Sequence, residues 1–228
     1  MNNLPAIEIY SIGTELLMGQ IQDTNAYWMT QQISQFGGFV RRITIIDDEI
    51  DEIVTNLKNS LSRKTKIIIT TGGLGPTPDD LTVEAMAQLI GEDVIVNQTL
   101  IKRFMARRNI KREEDISPGL IKMATSPQSA KVHPNPVGIA PCIQCKIGKT
   151  TVFNLPGPPK EVNALFKQSI EEPISQIYNG NRALIRVAVN LPESEVGPLL
   201  HRTMQDHPNT YLKAYVSLRE KTSNGQRL

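Results

Sequence analysis

One stretch constrains this chain more than any other: Lys66 to Ile90, KIIITTGGLGPTPDDLTVEAMAQLI. Ile67 to Thr71 is a short β-branched run, the composition of a strand buried on both faces of a parallel sheet. Gly72, Gly73 and Gly75 follow, where a backbone can turn sharply and lie bare against a ligand. Thr77 suits a helix cap and Pro78 the first helical position, which places Asp79 and Asp80 in the first turn of a helix. Leu81, Ala85 and Leu89, with Met86 and Ile90, repeat at helical spacing. The expectation is strand, glycine turn and helix, with backbone N–H groups facing the end of a sheet, a place that binds phosphate. Two aspartates would repel a phosphate there unless a divalent cation lay between them. They are equally an ordinary helix start, because first-turn acids gain about 0.3–1 kcal/mol from the helix dipole. Both readings stand at this point. The spacing is neither G-x-G-x-x-G nor a P-loop.

The 228 residues allow one large domain, or a medium and a small one. With 39% hydrophobic and only 5% aromatic residues, the core has to be built from Ile, Leu and Val. A net charge of +2 gives no general attraction to nucleic acid or membrane. No apolar run has the length of a bilayer span, and MNNLPAIEIY lacks the regions of a signal peptide. A soluble, cytoplasmic protein with no nucleic-acid or membrane partner is expected. Cys142 and Cys145 form a C-x-x-C pair with no second pair to complete a zinc site. Residues three apart in a strand point to opposite faces, so two buried or half-buried thiols are expected rather than a redox or metal pair. His133, His201 and His207 have no partner at metal-ligand spacing.

Taken in order, Ala6 to Ile12 reads as a first strand that Gly13 and Thr14 end. Glu15 then stands at the carboxyl end of a buried strand, where α/β proteins place ligands, or is a solvated loop acid. Asp23, Thr24 and Asn25 can cap a helix that buries Ala26, Met29, Ile33 and Phe36. Phe39 to Ile46 is a second strand, and the helix after it buries Ile50, Ile53, Val54, Leu57 and Leu61. Strands alternating with helices imply a mainly parallel sheet with helices on both faces. After Gly91 the pattern loosens. Asn97 can start a helix, and its cluster Lys102, Arg103, Arg107, Arg108, Lys111 and Arg112 reads as a solvated face. Ser117 and Pro118 start another short helix. In Pro134 to Gly138, Asn135 either reads a ligand or closes an Asx-turn. Gly148-Lys149 is a hairpin turn between two strands. Pro156-Gly157-Pro158-Pro159 ends a strand and starts a helix carrying Lys160 and Glu161. A boundary falls near Asn179-Gly180-Asn181, giving one domain over residues 1–178 and a small α+β domain over 179–228. The latter has strands at Ala183–Asn190 and Tyr211–Glu220 and a helix at Glu193–Met204. Ser223-Asn224-Gly225 signals a hairpin with no second strand after it, as if this domain were cut short.

Four motifs together resemble the CinA-type proteins, whose N-terminal domain shares its fold with the molybdopterin-binding proteins MogA and MoaB. They are GTELLMGQIQDTNA from Gly13, TTGGLGPTPDDLT from Thr70, PNPVGIAP from Pro134 and LPGPPKEV from Leu155. The resemblance implies a three-layer α/β fold with the motifs around one nucleotide-sized cleft. It implies metal-dependent hydrolysis of ADP-ribose or a related adenine dinucleotide, with Mg, Mn or Co as the cofactor. A molybdopterin-binding or adenylyl-transfer protein and a non-catalytic nucleotide-binding module are the alternatives. Asp79 and Asp80 would hold the metal or activate water, and Glu15 would take a proton or orient the water. Gly72, Gly73 and Gly75 would cradle phosphate. Gly13, Thr14, Asn135, Gly138, Gly157 and Pro158 would line the cleft, and Lys160 would add a positive charge. A homo-oligomer, dimer or trimer, is expected. Longer members of this family carry a further domain that deamidates nicotinamide mononucleotide, and these residues are expected to lack that activity.

Overall fold

The computed structural model describes residues 4–178, 187–189, 191–208 and 210–214. Its contacts divide the chain into two compact units, Leu4–Arg182 and Ala183–Leu228 with Met1–Asn3. In the first unit the order is β1 (Ile7–Ile12), α1 (Thr14–Leu17), α2 (Thr24–Gln35), β2 (Val40–Ile46), α3 (Ile50–Ser62), β3 (Ile67–Thr71) and α4 (Thr82–Ile90). Then come β4 (Val94–Val96), α5 (Gln98–Arg108), α6 (Pro118–Met123), β5 (Thr125–Pro127), β6 (Lys131–His133), β7 (Cys142–Ile147), β8 (Thr150–Leu155), α7 (Pro159–Ser169) and α8 (Glu171–Tyr178). One sheet runs β2-β1-β3-β8-β7-β6, and β4 pairs with β5 in a separate ribbon. The pairs β1–β2, β1–β3 and β3–β8 are parallel, while β7 is antiparallel to β8 and β6 to β7. This is the three-layer, mainly parallel α/β architecture expected from the alternating pattern.

Every residue of β1 and β3 is buried, so both strands are covered on both faces. On one face Ile7, Ile9, Ile67, Ile69 and Phe153 pack with Ala26 and Met29 of α2 and with Val162, Leu165 and Phe166 of α7. The Trp28 and Phe166 rings meet edge to face there, 5.4 Å between centroids. On the other face Tyr10, Ile12, Ile68 and Val152 pack with Ile53 and Leu57 of α3 and Ala85 and Met86 of α4. Each fully buried aliphatic side chain of this kind stabilises the fold by about 1.5–3 kcal/mol. Cys142 belongs to the first cluster and Cys145 to the second, the opposite faces that their spacing predicts. Burial pushes both thiols up, Cys145 to about 12, which leaves them protonated and inert. A third, smaller core joins Leu100, Ile101 and Phe104 of α5 to Ile116 and Ala124 around α6.

Local chemistry explains the helix starts. Asp23 accepts from the Ala26 N–H at 3.0 Å, Asn97 from Thr99 and Leu100, and Ser117 from Leu120. One start differs from the sequence reading. The helix after β3 begins at Thr82, not at Pro78, so Asp79 and Asp80 lie in a turn before it. The Asp80 carboxylate accepts from the Thr77 N–H at 2.8 Å and the Thr77 hydroxyl at 2.5 Å. That local bond offers the backbone an alternative to the helix. In the second unit Glu193–Asp206 forms α9, matching the expected helix. The strands expected at Ala183–Asn190 and Tyr211–Glu220, and the turn at Asn224-Gly225, fall largely outside the described residues.

One buried charge anchors the α3 side of the sheet. Glu8 is 1% exposed on β1 and accepts from Arg63 Nε at 2.9 Å and Nη2 at 2.6 Å, from Ser60 at 2.7 Å and from Thr65 at 2.8 Å. Burial pushes its carboxyl up, but the bonds from Arg63, Ser60 and Thr65 outweigh that and hold it at about 2, against an ordinary 4.5. The folded value is depressed, so this stabilisation is complete above the ordinary value and is lost as pH falls towards 2. Replacing Glu8 by Gln should cost about 3 kcal/mol at pH 7, because Arg63 loses its partner. Urea unfolding at pH 7 and in acid checks this: the gap between wild type and variant should shrink as pH falls.

Candidate functional site

The strand directions bring the motifs to one edge of the sheet. The carboxyl ends of β1, β2, β3 and β8 lie on the same side, and β6, running antiparallel to β7, also ends there. Gly13 follows β1, Asp47 and Asp48 follow β2, Gly72 follows β3, Pro134 to Gly138 follow β6, and Pro156-Gly157 follow β8. Ligands of open α/β sheets bind outside the carboxyl ends of the strands.

These turns touch one another. The Gly13 N–H donates to Ile46 O at 3.1 Å and the Gly72 N–H to Leu155 O at 3.0 Å. Asn25 Nδ2 donates to Gly157 O at 2.7 Å, which ties the first motif to the last. Asn135 Nδ2 donates to Glu161 at 2.6 Å, which ties the third to the last. Gly72 has φ +101°, and a Cβ built on it would lie 2.1 Å from Ile12 O. Gly73, at φ +67°, would place a Cβ 2.1 Å from the Thr82 hydroxyl, which donates to Gly72 O at 2.9 Å. Only glycine fits either position.

The acidic groups divide by environment. Glu15 is exposed on α1 and its carboxylate turns back against Gly13. The Thr14 hydroxyl donates to Asp47 and, at 2.6 Å, to Asp48. That bond holds the Asp47 carboxyl below its usual range. Thr14 is thus engaged by the β2 end, a partner that sequence order did not reveal. Asp80 leans on Gly75, where a Cβ would lie 2.4 Å from its Oδ2. Asp79 is exposed, and the Thr77 hydroxyl, then its own backbone, then the Lys122 charge hold it below the usual carboxylate range. Both aspartates therefore stand next to the glycine turn, off the end of the central strand.

Asn135 is 1% exposed and its amide is used within the protein. It accepts from Val137 N–H at 3.0 Å and Gly138 N–H at 2.7 Å, and donates to Ala140 O at 2.8 Å as well as to Glu161. Of the two readings open from the sequence, the Asx-turn describes this side chain. Glu161 lies against Gly138, where a Cβ would meet its carboxylate at 2.0 Å. Burial pushes the Glu161 carboxyl up, opposed by Asn135 and Arg107. The basic cluster of α5 is not simply a solvated face. Arg103 donates to Asn135 O at 2.9 Å, and Arg107 donates to the carbonyls of Asn135, Val137 and Gly138. Gly157, Pro158 and Lys160 are exposed where α7 begins, and α7 has no side-chain cap.

The donor set suits one kind of cation. Among the described residues no group of three or more His, Cys, Asp or Glu side chains is placed to hold a metal ion. Asp79 and Asp80 offer carboxylate oxygens, and one Asp80 oxygen already serves Thr77. One or two carboxylates plus substrate phosphates and water is the usual setting of Mg²⁺. The pair fits a hard cation shared with a phosphate rather than a closed cage.

Comparisons with known proteins bear on the family and the fold. A family model described as probable molybdopterin binding domain matches residues 8–190. A protein of Pyrobaculum arsenaticum is 36% identical over 211 residues, covering 91% of this chain and 78% of its own length. A CinA-like protein of Kosmotoga olearia is 37% identical over 174 residues, 75% of this chain but 41% of that protein, so the chain spans under half of it. The crystal structure of CinA from Thermoplasma acidophilum superposes with a TM-score of 0.69 at 34% identity, over 75% of this chain and 99% of that one. A molybdopterin biosynthesis protein from Mycobacterium abscessus, with a TM-score of 0.52 and 17% identity over 77% of this chain and 94% of its own, shares the fold. No helix among the described residues is long and apolar enough to cross a membrane.

Two glycines of the site should respond differently to a methyl group. Gly72→Ala puts a Cβ into the Ile12 carbonyl at a left-handed φ and should cost about 3 kcal/mol or more. Gly157→Ala meets nothing within 4 Å and should unfold like wild type. Urea titrations of the two variants check this.

Proposed function

This chain belongs to the family of probable molybdopterin binding domains and within it is CinA-like, and from that premise we propose that its cleft hydrolyses the phosphoanhydride of an adenine nucleotide such as ADP-ribose. The observation that carries the reading is the acidic turn. Asp79 and Asp80 stand directly off the glycine turn of the central strand, on the edge where all four motifs meet. A site that only bound phosphate would gain nothing from two carboxylates in that place.

The residues divide the work as follows. The Gly72 N–H is spent on Leu155 O, so the Gly73 and Gly75 amides would be the ones offered to a phosphate, and the uncapped start of α7 would offer amides and the Lys160 charge to a second one. The exposed Asp79 and the remaining oxygen of Asp80 would hold a divalent cation. Bound there, that cation would withdraw charge from phosphoryl oxygens and acidify water. Water adds to phosphorus while the bridging P–O bond breaks, giving AMP and ribose 5-phosphate. Glu15, exposed at the end of β1, is the group to orient that water and take its proton. Asn135, Arg103 and Arg107 build the cleft wall rather than touch the substrate. A second reading, binding or adenylylation of molybdopterin, is favoured by the description of the matching family model.

The test is AMP release from ADP-ribose with Mg²⁺, Mn²⁺ or Co²⁺, then with chelator. Activity should need the metal, and Asp79→Asn or Asp80→Asn should lower turnover by a factor on the order of a hundred. Neither variant should move the melting temperature by more than about 3 °C. Full activity in both would return the pair to a turn-forming role. No activity in wild type, with molybdopterin alone raising the melting temperature, would favour the second reading.

A further inference from the structure

The turn that carries Asp79 and Asp80 is held from two sides. From within, Asp80 accepts from the N–H and hydroxyl of Thr77, and Thr77 O accepts from the Asp80 N–H at 3.2 Å. From outside, α6 presses on it. Lys122 Nζ donates to the same Thr77 O at 2.7 Å, across 45 residues of sequence. One turn of helix earlier, Gly119 sits so close to Pro76 that a Cβ there would lie 2.8 Å from the proline ring. Glu84, on the first turn of α4, places its Oε1 3.9 Å from Lys122 Nζ, while its Oε2 is buried without a hydrogen-bond partner. That distance is too long for a hydrogen bond but close enough to draw the ammonium towards the turn.

We propose that Lys122 is the positioning residue of this site: it fixes the Thr77 carbonyl, and through it the turn that presents Asp79 and Asp80 to the nucleotide. This rests on the phosphoanhydride reading above. The α6 segment is seated on its own small core with α5, whose Arg103 and Arg107 hold the carbonyls of the Asn135 loop. One rigid layer therefore braces two walls of the cleft, and Lys122 is its contact with the acidic wall. A brace of this kind acts on the orientation of the reacting groups, where small displacements cost much rate and little binding. Lys122 does not touch the substrate in this account. Its half-buried stem lies along the turn while its ammonium ends on a carbonyl.

The test compares wild type, Lys122→Met and Lys122→Arg. Methionine keeps the stem and removes both the charge and the donor, whereas arginine restores both. Lys122→Met should lower kcat for AMP release about tenfold and change KM by less than about threefold, with Lys122→Arg recovering most of the loss. A readout independent of catalysis is amide hydrogen exchange at Asp80, whose N–H shares the Thr77 carbonyl with Lys122. It should speed up about tenfold in Lys122→Met and return in Lys122→Arg. Unchanged exchange in a folded Lys122→Met protein would overturn the proposal, whatever the activity. Faster exchange in Lys122→Met, with a wild type that proves inactive on ADP-ribose, would keep the brace and remove the hydrolase reading. Should Lys122→Met fail to fold, Glu84→Gln decides: it leaves the lysine but weakens its attraction, and a normal Asp80 exchange rate in that variant would equally overturn the proposal.

Discussion

The close approach of β3 to β1 governs this molecule. Both strands are buried on both faces, so neither chain end can turn outward through a bulky residue. Gly72 must pass directly over the Ile12 carbonyl, and Gly73 must pass over Thr82. These contacts fix where the chain leaves the sheet, and so fix the distance between the first two motifs. The Gly72 N–H then pins β8 through Leu155, and Asn25 at the start of α2 reaches Gly157 ahead of α7 in the same layer. The site thus follows from packing the centre of a parallel sheet, before any ligand is considered.

Charge is distributed around that edge with a clear division. Asp79 and Glu15 are exposed and unencumbered by buried partners, while Asp80, Asn135 and Glu161 are engaged in building turns. The basic groups sit behind them. Arg103 and Arg107 grip carbonyls of the Asn135 loop, and Lys122 grips the Thr77 carbonyl. Cations bound to carbonyls keep their net charge, so the acidic edge is backed by a positive layer. On the proposed reading, that arrangement would suit an anionic ligand carrying a divalent cation. Glu8 and Arg63 do a different task lower in the sheet, where a fully partnered charge ties β1 to α3 without reaching the edge.

Much of this was legible in the residues, for physical reasons that also explain the gaps. The β-branched run of β3, the isoleucines of β1 and the apolar stripes of α2 and α3 announce a parallel sheet, because burial on both faces favours such residues. The opposite fates of Cys142 and Cys145 followed from strand periodicity alone. The start of α4 did not, because Thr-Pro-Asp-Asp serves a turn as well as a helix cap, and only the Asp80 bond to Thr77 decides between them. Strands β4, β5 and β6 span three residues each, too short to show any period. Arg103 and Arg107 read as a solvated face and Lys122 drew no reading at all, because their partners are carbonyls 28 to 45 residues away, and a carbonyl leaves no mark in a sequence. Thr14 was assigned to the cleft by its motif alone, and its hold on Asp47 and Asp48 depends on β2 lying beside β1.

The central claim is that two carboxylates beside a glycine turn share a cation with a phosphate instead of caging one. Calorimetric titration tests it most directly. Mg²⁺ added to the protein alone should bind weakly, with a Kd of about a millimolar or more, because two partly used carboxylates make a poor cage. Added with ADP-ribose, it should bind together with the nucleotide, and each should raise the affinity of the other by the same factor, about tenfold or more. Tight stoichiometric binding of Mg²⁺ without nucleotide, or nucleotide affinity indifferent to Mg²⁺, would contradict the account.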